Sequence, residues 1–160
     1  MLKSLSSLSA AFVLGMHDAL VSQIGIIVGM VFAAAGREII ILTSVISAIS
    51  AGLSMAASSY LAEKTNLNNR AVRAGLVTGL AYLGTSGLLI APFFITPNIK
   101  CGVISALVLA VVIIFVCNWA ICRQRGHNFW RHAFEMLAVC TTVTIVTFVI
   151  GEFAKQWLGN

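Results

Sequence analysis

The chain has 160 residues, of which 59% are apolar and 9% charged, with a net charge of +5. Ordinary soluble domains carry about 25% charged residues, so this composition excludes a soluble fold with a polar surface. With so few residues outside apolar runs, the excess of lysine and arginine reads as an orientation signal in a membrane protein and not as a nucleic-acid surface.

The first predicted span covers residues 8–35. Lys3 before it and the alanines at 33–35 mimic a cleaved leader, but the run is too long for a leader's apolar core and contains Asp18. Gly36-Arg37-Glu38 closes a hairpin into the second span, 39–62. The third span, 74–96, contains Pro92, which is predicted to kink the helix or end its regular part early. Pro97-Asn98 leads into the fourth span, 101–122, and the fifth covers 134–153. Crossing a bilayer takes about 20 apolar residues as a helix. Five spans therefore use nearly the whole chain. The expected fold is an all-α integral membrane protein, with 1–160 as a single transmembrane domain.

Lysine and arginine set the orientation. Lys3, Lys64, Arg70, Arg73, Arg123, Arg125 and Arg131 fall on one side, and Arg37, Lys100 and Lys155 on the other. This bias predicts a cytoplasmic amino terminus and an outer or lumenal carboxyl terminus. Tyr60, Trp119, Trp130 and Trp157 stand near span ends, where aromatic anchors belong. Cys101, Cys117, Cys122 and Cys140 lack the spacing of a redox or zinc motif and read as buried free thiols.

Five acidic residues carry the functional information: Asp18, Glu38, Glu63, Glu135 and Glu152. Glu38 and Glu152 lie at outer span ends and read as solvated. Asp18 lies about 15 Å into its span at the helical rise, where a carboxylate is costly and marks a functional site. The alternative is a structural hydrogen bond to a neighbouring helix. Folding the first hairpin about Gly36 and Arg37 puts residues whose numbers sum to about 73 at equal depth, so Asp18 comes level with Met55. One oxygen ligand and one thioether favour a transition ion over magnesium or calcium. Ser22, Gly25 and Gly29 share the Asp18 side of the first helix, and Ser47, Ser54, Met55 and Ser58 share one side of the second. Ser22, Gly25, Ser47, Ser54 and Ser58 are the candidate pathway-lining residues, although ordinary packing also explains glycines and serines. Glu63 and Glu135 form an acidic mouth on the cytoplasmic side, or else pair with Lys64, Arg70 or Arg131. His17 points about 100° away from Asp18 and is the weaker ligand candidate. His127 and His132 read as interfacial.

The stretch Gly15-Met16-His17-Asp18-Ala19-Leu20-Val21-Ser22 resembles the first-helix Asn-Asp-Gly-Leu-Val motif of the vacuolar iron transporter family, which includes the nodulin-21-like proteins. Gly52-Leu53-Ser54-Met55-Ala56, followed by Tyr60, resembles the second-helix Gly-x-Ser-Met-Ala…Glu-Tyr motif. Phe134-Glu135-Met136-Leu137 with Ile150-Gly151 resembles the last helix, and Pro92 matches a proline late in the third. The resemblance implies a five-helix protomer acting as a homodimer, with a metal path between protomers lined by the first two helices. It assigns ion handling to Asp18 and Met55; Glu63 and Glu135, from the acidic-mouth reading, are further metal candidates. It implies export of Fe²⁺ or Mn²⁺ from the cytosol, with protons as the coupling ion and no permanently bound cofactor. The membrane would be the cell membrane in a bacterium or the vacuolar membrane in a eukaryote. Ala19 replaces the family's glycine, His17 its asparagine and Ser59 its glutamate, and 64–73 is too short for the glutamate-rich cytoplasmic insert of some members.

Two other functions compete. One is a small non-transporting membrane subunit or scaffold in which Asp18 is a helix–helix contact. The other is an intramembrane enzyme, for which no Ser-His, paired-carboxylate or His-Glu-x-x-His constellation speaks. The expected partners are a second copy of the chain, the bilayer and divalent metal ions. The small face at Gly25 and Gly29 is expected near the two-fold axis.

Overall fold

The computed structural model describes residues 2–66, 69–125 and 129–158. His127 lies outside these residues, as do the side chains of Lys3, Cys122, Arg123, Arg125 and His132. Five helices follow in order: α1 (Leu2–Phe32), α2 (Arg37–Thr65), α3 (Ala71–Ile95), α4 (Ile99–Arg125) and α5 (Phe129–Leu158). All five are long and apolar enough to cross a membrane. Lipid offers backbone groups no partner, so apolar runs of this length close their hydrogen bonds internally as helices. The chain is an integral membrane protein of five transmembrane helices, and its exposed leucines, isoleucines, valines and phenylalanines meet the bilayer.

The helix ends follow from local chemistry. α1 stops at Phe32, short of the predicted 35, because the chain reverses there. Ala34 takes a left-handed φ of 59°. The Ala34 N–H bonds to the Val31 carbonyl and the Ala35 N–H to the Met30 carbonyl, both at 3.0 Å. That pairing is a Schellman ending, which normally carries glycine at the left-handed position. The glycine comes two residues later, as the extended residue before α2. Pro92 does not end α3, which runs on to Ile95. Arg37 stabilises that last turn: its Nε donates to the Phe93 carbonyl at 2.7 Å and its Nη2 to the Phe94 carbonyl at 3.2 Å. A cation at a helix C-terminus also complements the helix dipole. Asn98 opens α4 by accepting from the Lys100 N–H at 3.0 Å.

α1 packs against all four other helices and α3 against α1, α2 and α4, while α5 closes against α1 and α4. In lipid, helices associate through close packing and hydrogen bonds and not through apolar burial. Gly15 accordingly lies against the Thr78 backbone, where any β-carbon would collide. A β-carbon on Gly75 would come 2.7 Å from the Ala56 carbonyl oxygen, and one on Gly79 would come 2.8 Å from the Ala56 β-carbon. Gly151 of α5 meets the Gly29 backbone of α1 in the same way as Gly15 meets Thr78. The core includes Met16, Leu20, Ile27, Ile40, Leu89 and Phe93. Of the cysteines expected to be buried, Cys140 is buried and Cys117 half-buried, but Cys101 is exposed near the start of α4.

Candidate functional site around Asp18

Asp18 lies in the middle of α1, and its side chain is exposed on the outside of the protomer. Two cross-helix ties fix its depth. One turn toward the amino-terminal end of α1, Gly15 abuts Thr78, whose Oγ1 lies 2.9 Å from the Ser59 Oγ. One turn toward the carboxyl-terminal end of α1, the Ser22 Oγ lies 2.7 Å from the Tyr82 hydroxyl, and the Tyr82 ring borders Gly52. Asp18 of α1 falls between Gly15 and Ser22, and Met55 of α2 falls between Gly52 and Ser59. Both residues occupy the interval between the two ties. Met55 is half-buried.

Other polar residues are also uncovered. On α2, Ser54 and Ser58 are exposed and Ser47 is half-buried. Ser22, Gly25 and Gly29 line a groove of about 490 Å³ that also takes in Met30, Thr43 and Thr147. It lies beside α1 between α2 and α5 and runs from Ser22 toward Ala33 and Ala154, near the carboxyl-terminal ends of α1 and α5.

The small-residue face of α1 packs against α5. Gly25 is buried, and a β-carbon there would come 3.2 Å from both Val143 and Thr147 of α5. A β-carbon on Gly29 would come 3.5 Å from the Thr147 carbonyl oxygen. These glycines seat α5 of the same chain, and Gly29 remains half-buried along the groove. Helical periodicity places residues on one face but does not name the helix that covers it.

The remaining acids are spread out. Glu63 is half-buried near the end of α2. Glu135, on α5, is exposed, and its Oε1 accepts from Arg131 Nε at 3.3 Å. That pairing was the alternative to an acidic mouth; as an exposed i,i+4 pair it is worth about 0.3–0.5 kcal/mol. His17 is half-buried beside Asp18. Among the described residues, no three His, Cys, Asp or Glu side chains converge as a metal-binding group.

Sequence reasoning overlooked α3. Thr78, Tyr82 and Ser86 are each 0% exposed, and the first two bond to α2 and α1. Their four-residue spacing on an otherwise apolar span was the available signal. Ser59 stands where a glutamate was expected and binds Thr78, so this position ties α2 to α3.

No curated protein matches the chain. The model of the VIT family matches residues 9–71, which is 63 of the 160 residues and carries Asp18, Met55 and Glu63. This match to α1 and α2 supports membership of the vacuolar iron transporter family.

Proposed function

We propose that the protein moves Fe²⁺ and/or Mn²⁺ out of the cytosol in exchange for protons, along a path between two copies of the chain. The family match suggests membrane metal-ion transport and fits a transporter better than an enzyme. The observation that carries the finer reading is the exposed Asp18 carboxylate at mid-span. A carboxylate facing lipid is costly, and a second copy packed on this face removes that cost. Two-fold symmetry would bring two Asp18 and two Met55 side chains to one depth. One protomer offers too few ligands to hold an ion, whereas the pair supplies a mixed oxygen and sulfur set suited to a transition ion.

Proton coupling follows from the same residue. Asp18 must lose its proton to ligate a metal, so metal binding releases protons and protonation releases metal. Glu63 and Glu135 supply negative charge at the cytoplasmic ends of α2 and α5. The pair with Arg131 is too weak to withhold Glu135 from a divalent ion. The groove beyond Ser22 supplies the outer half of the route, and the lysine and arginine bias supports a cytoplasmic amino terminus.

The test is uptake by purified protein in liposomes, comparing Fe²⁺, Mn²⁺, Zn²⁺ and Co²⁺ under an imposed pH gradient. Saturable uptake of Fe²⁺ or Mn²⁺ with opposing proton movement is expected. Folded, dimeric protein that neither binds nor moves any of the four would leave Asp18 a helix contact.

A further inference from the structure

Gln23 on α1, Ser44 on α2 and Ser86 on α3 are all 0% exposed. Gln23 Nε2 donates to the Ser44 carbonyl at 3.5 Å. The Gln23 Oε1, the Ser44 Oγ and the Ser86 Oγ have no hydrogen-bond partner within the protein. The ties that place Gly15 beside Thr78 and Ser22 beside Tyr82 bring Gln23 level with the turn of α3 that ends at Ser86. Gln23 lies about 140° around α1 from Asp18, on the covered side of the helix. Three buried polar oxygens, one on each of α1, α2 and α3, thus stand without partners in the protein, where unmet hydrogen bonds are most costly.

We propose that these three oxygens hold an internal water site. The chemistry selects water over a metal cation: the set is one amide oxygen and two hydroxyls, with no carboxylate to balance a charge. A water can donate to Gln23 Oε1, accept from one serine and donate to the other, matching the roughly three hydrogen bonds of a typical buried water. The site stands apart from the Asp18 surface and does not depend on the transport reading. Its consequence is mechanical. The helix that carries Asp18 is joined to α2 and α3 here through bonds that water can remake when α1 shifts.

The test is thermal unfolding in detergent of Ser44→Ala, Ser86→Ala, Gln23→Leu and the double variants. If the oxygens share a water, Ser86→Ala lowers Tm by about 2–4 °C, because Gln23 loses its bridged partner. The Gln23→Leu/Ser86→Ala pair then falls by clearly less than the sum of the single changes. Should Gln23→Leu fail to fold, the Ser44→Ala/Ser86→Ala pair gives the same cycle. A Ser86→Ala protein as stable as the parent, or strict additivity, overturns the proposal. So does a high-resolution structure in which the three oxygens pair directly with one another. Density about 2.7–3.2 Å from at least two of them supports it.

Discussion

The Tyr82 hydroxyl donates to the Ser22 Oγ across 2.7 Å, and Ser22 donates to the Asp18 carbonyl across a further 2.7 Å. The direction follows from proton count: Ser22 has one hydroxyl proton and directs it back along α1, so Tyr82 supplies the other. Tyr82 is fully buried and borders Gly52. One ring therefore joins α1, α2 and α3 within a turn of the exposed carboxylate.

Tyr82→Phe keeps the ring and removes the bond. It should lower stability by about 0.5–1.5 kcal/mol, read by thermal unfolding in detergent. Because the bond holds the turn that presents Asp18, metal affinity should also fall, though less than in Asp18→Asn. Unchanged stability would mean that the ring alone sets the spacing.

Ala34→Gly should stabilise the protein. Ala34 is the non-glycine residue with positive φ at the end of α1, at a position that favours glycine. A left-handed L-residue costs about 1–2 kcal/mol, and the more flexible unfolded glycine chain offsets part of the gain. The expected net is about 0.5–1 kcal/mol, seen as a raised Tm without change in oligomer size. A lowered Tm would show that the turn tolerates alanine without strain.

Two glycines should respond in opposite directions to alanine. Gly151 meets the Gly29 backbone, so Gly151→Ala must push α5 away from α1, and overpacking of this kind costs about 1–3 kcal/mol. Gly87, inside α3, has open space around its missing β-carbon. Gly87→Ala should be neutral or stabilising by up to about 1 kcal/mol. The contrast, measured in the same detergent, separates helix contact from helix propensity.

The five spans were legible because hydropathy and length report directly on what lipid permits. The rotation of each helix about its axis was not. The face bearing Gly25 was readable, but α5 as its cover was not, since the contact joins residues far apart in sequence. The same gap hid Tyr82 and Thr78, which look like isolated polar residues until Ser22 and Ser59 are brought beside them. Pro92 does not stop α3, and Arg37, distant in sequence, caps the turn that follows it.

Met55→Leu keeps volume and removes the sulfur, so folding should survive with less than about 1.5 kcal/mol of loss. Affinity for Fe²⁺ and Mn²⁺ should decline, and discrimination against Mg²⁺ and Ca²⁺ should narrow. The measurement is metal binding to purified protein, with all four ions compared. Unchanged affinity and selectivity would reduce Met55 to packing between the two ties.

Asp18→Asn separates charge from shape. Asparagine keeps the volume and can hydrogen-bond, but it cannot ionise. If Asp18 only joins helices, whether within one protomer or between two, asparagine should retain much of that role. If Asp18 ligates the ion and carries the exchanged proton, the variant should fold with parental stability or better, because an ionisable group facing the membrane interior has been neutralised. It should nevertheless lose both metal uptake and metal-driven proton movement. The assay pairs a metal-sensitive dye with a pH-sensitive dye in the same liposomes, with oligomer size checked before reconstitution. Loss of proton movement with metal uptake intact would leave Asp18 as the carrier of the exchanged proton and assign the metal to other ligands. Parental rates of both in a well-folded Asp18→Asn protein would remove Asp18 from the mechanism, and the proposed exchange with it.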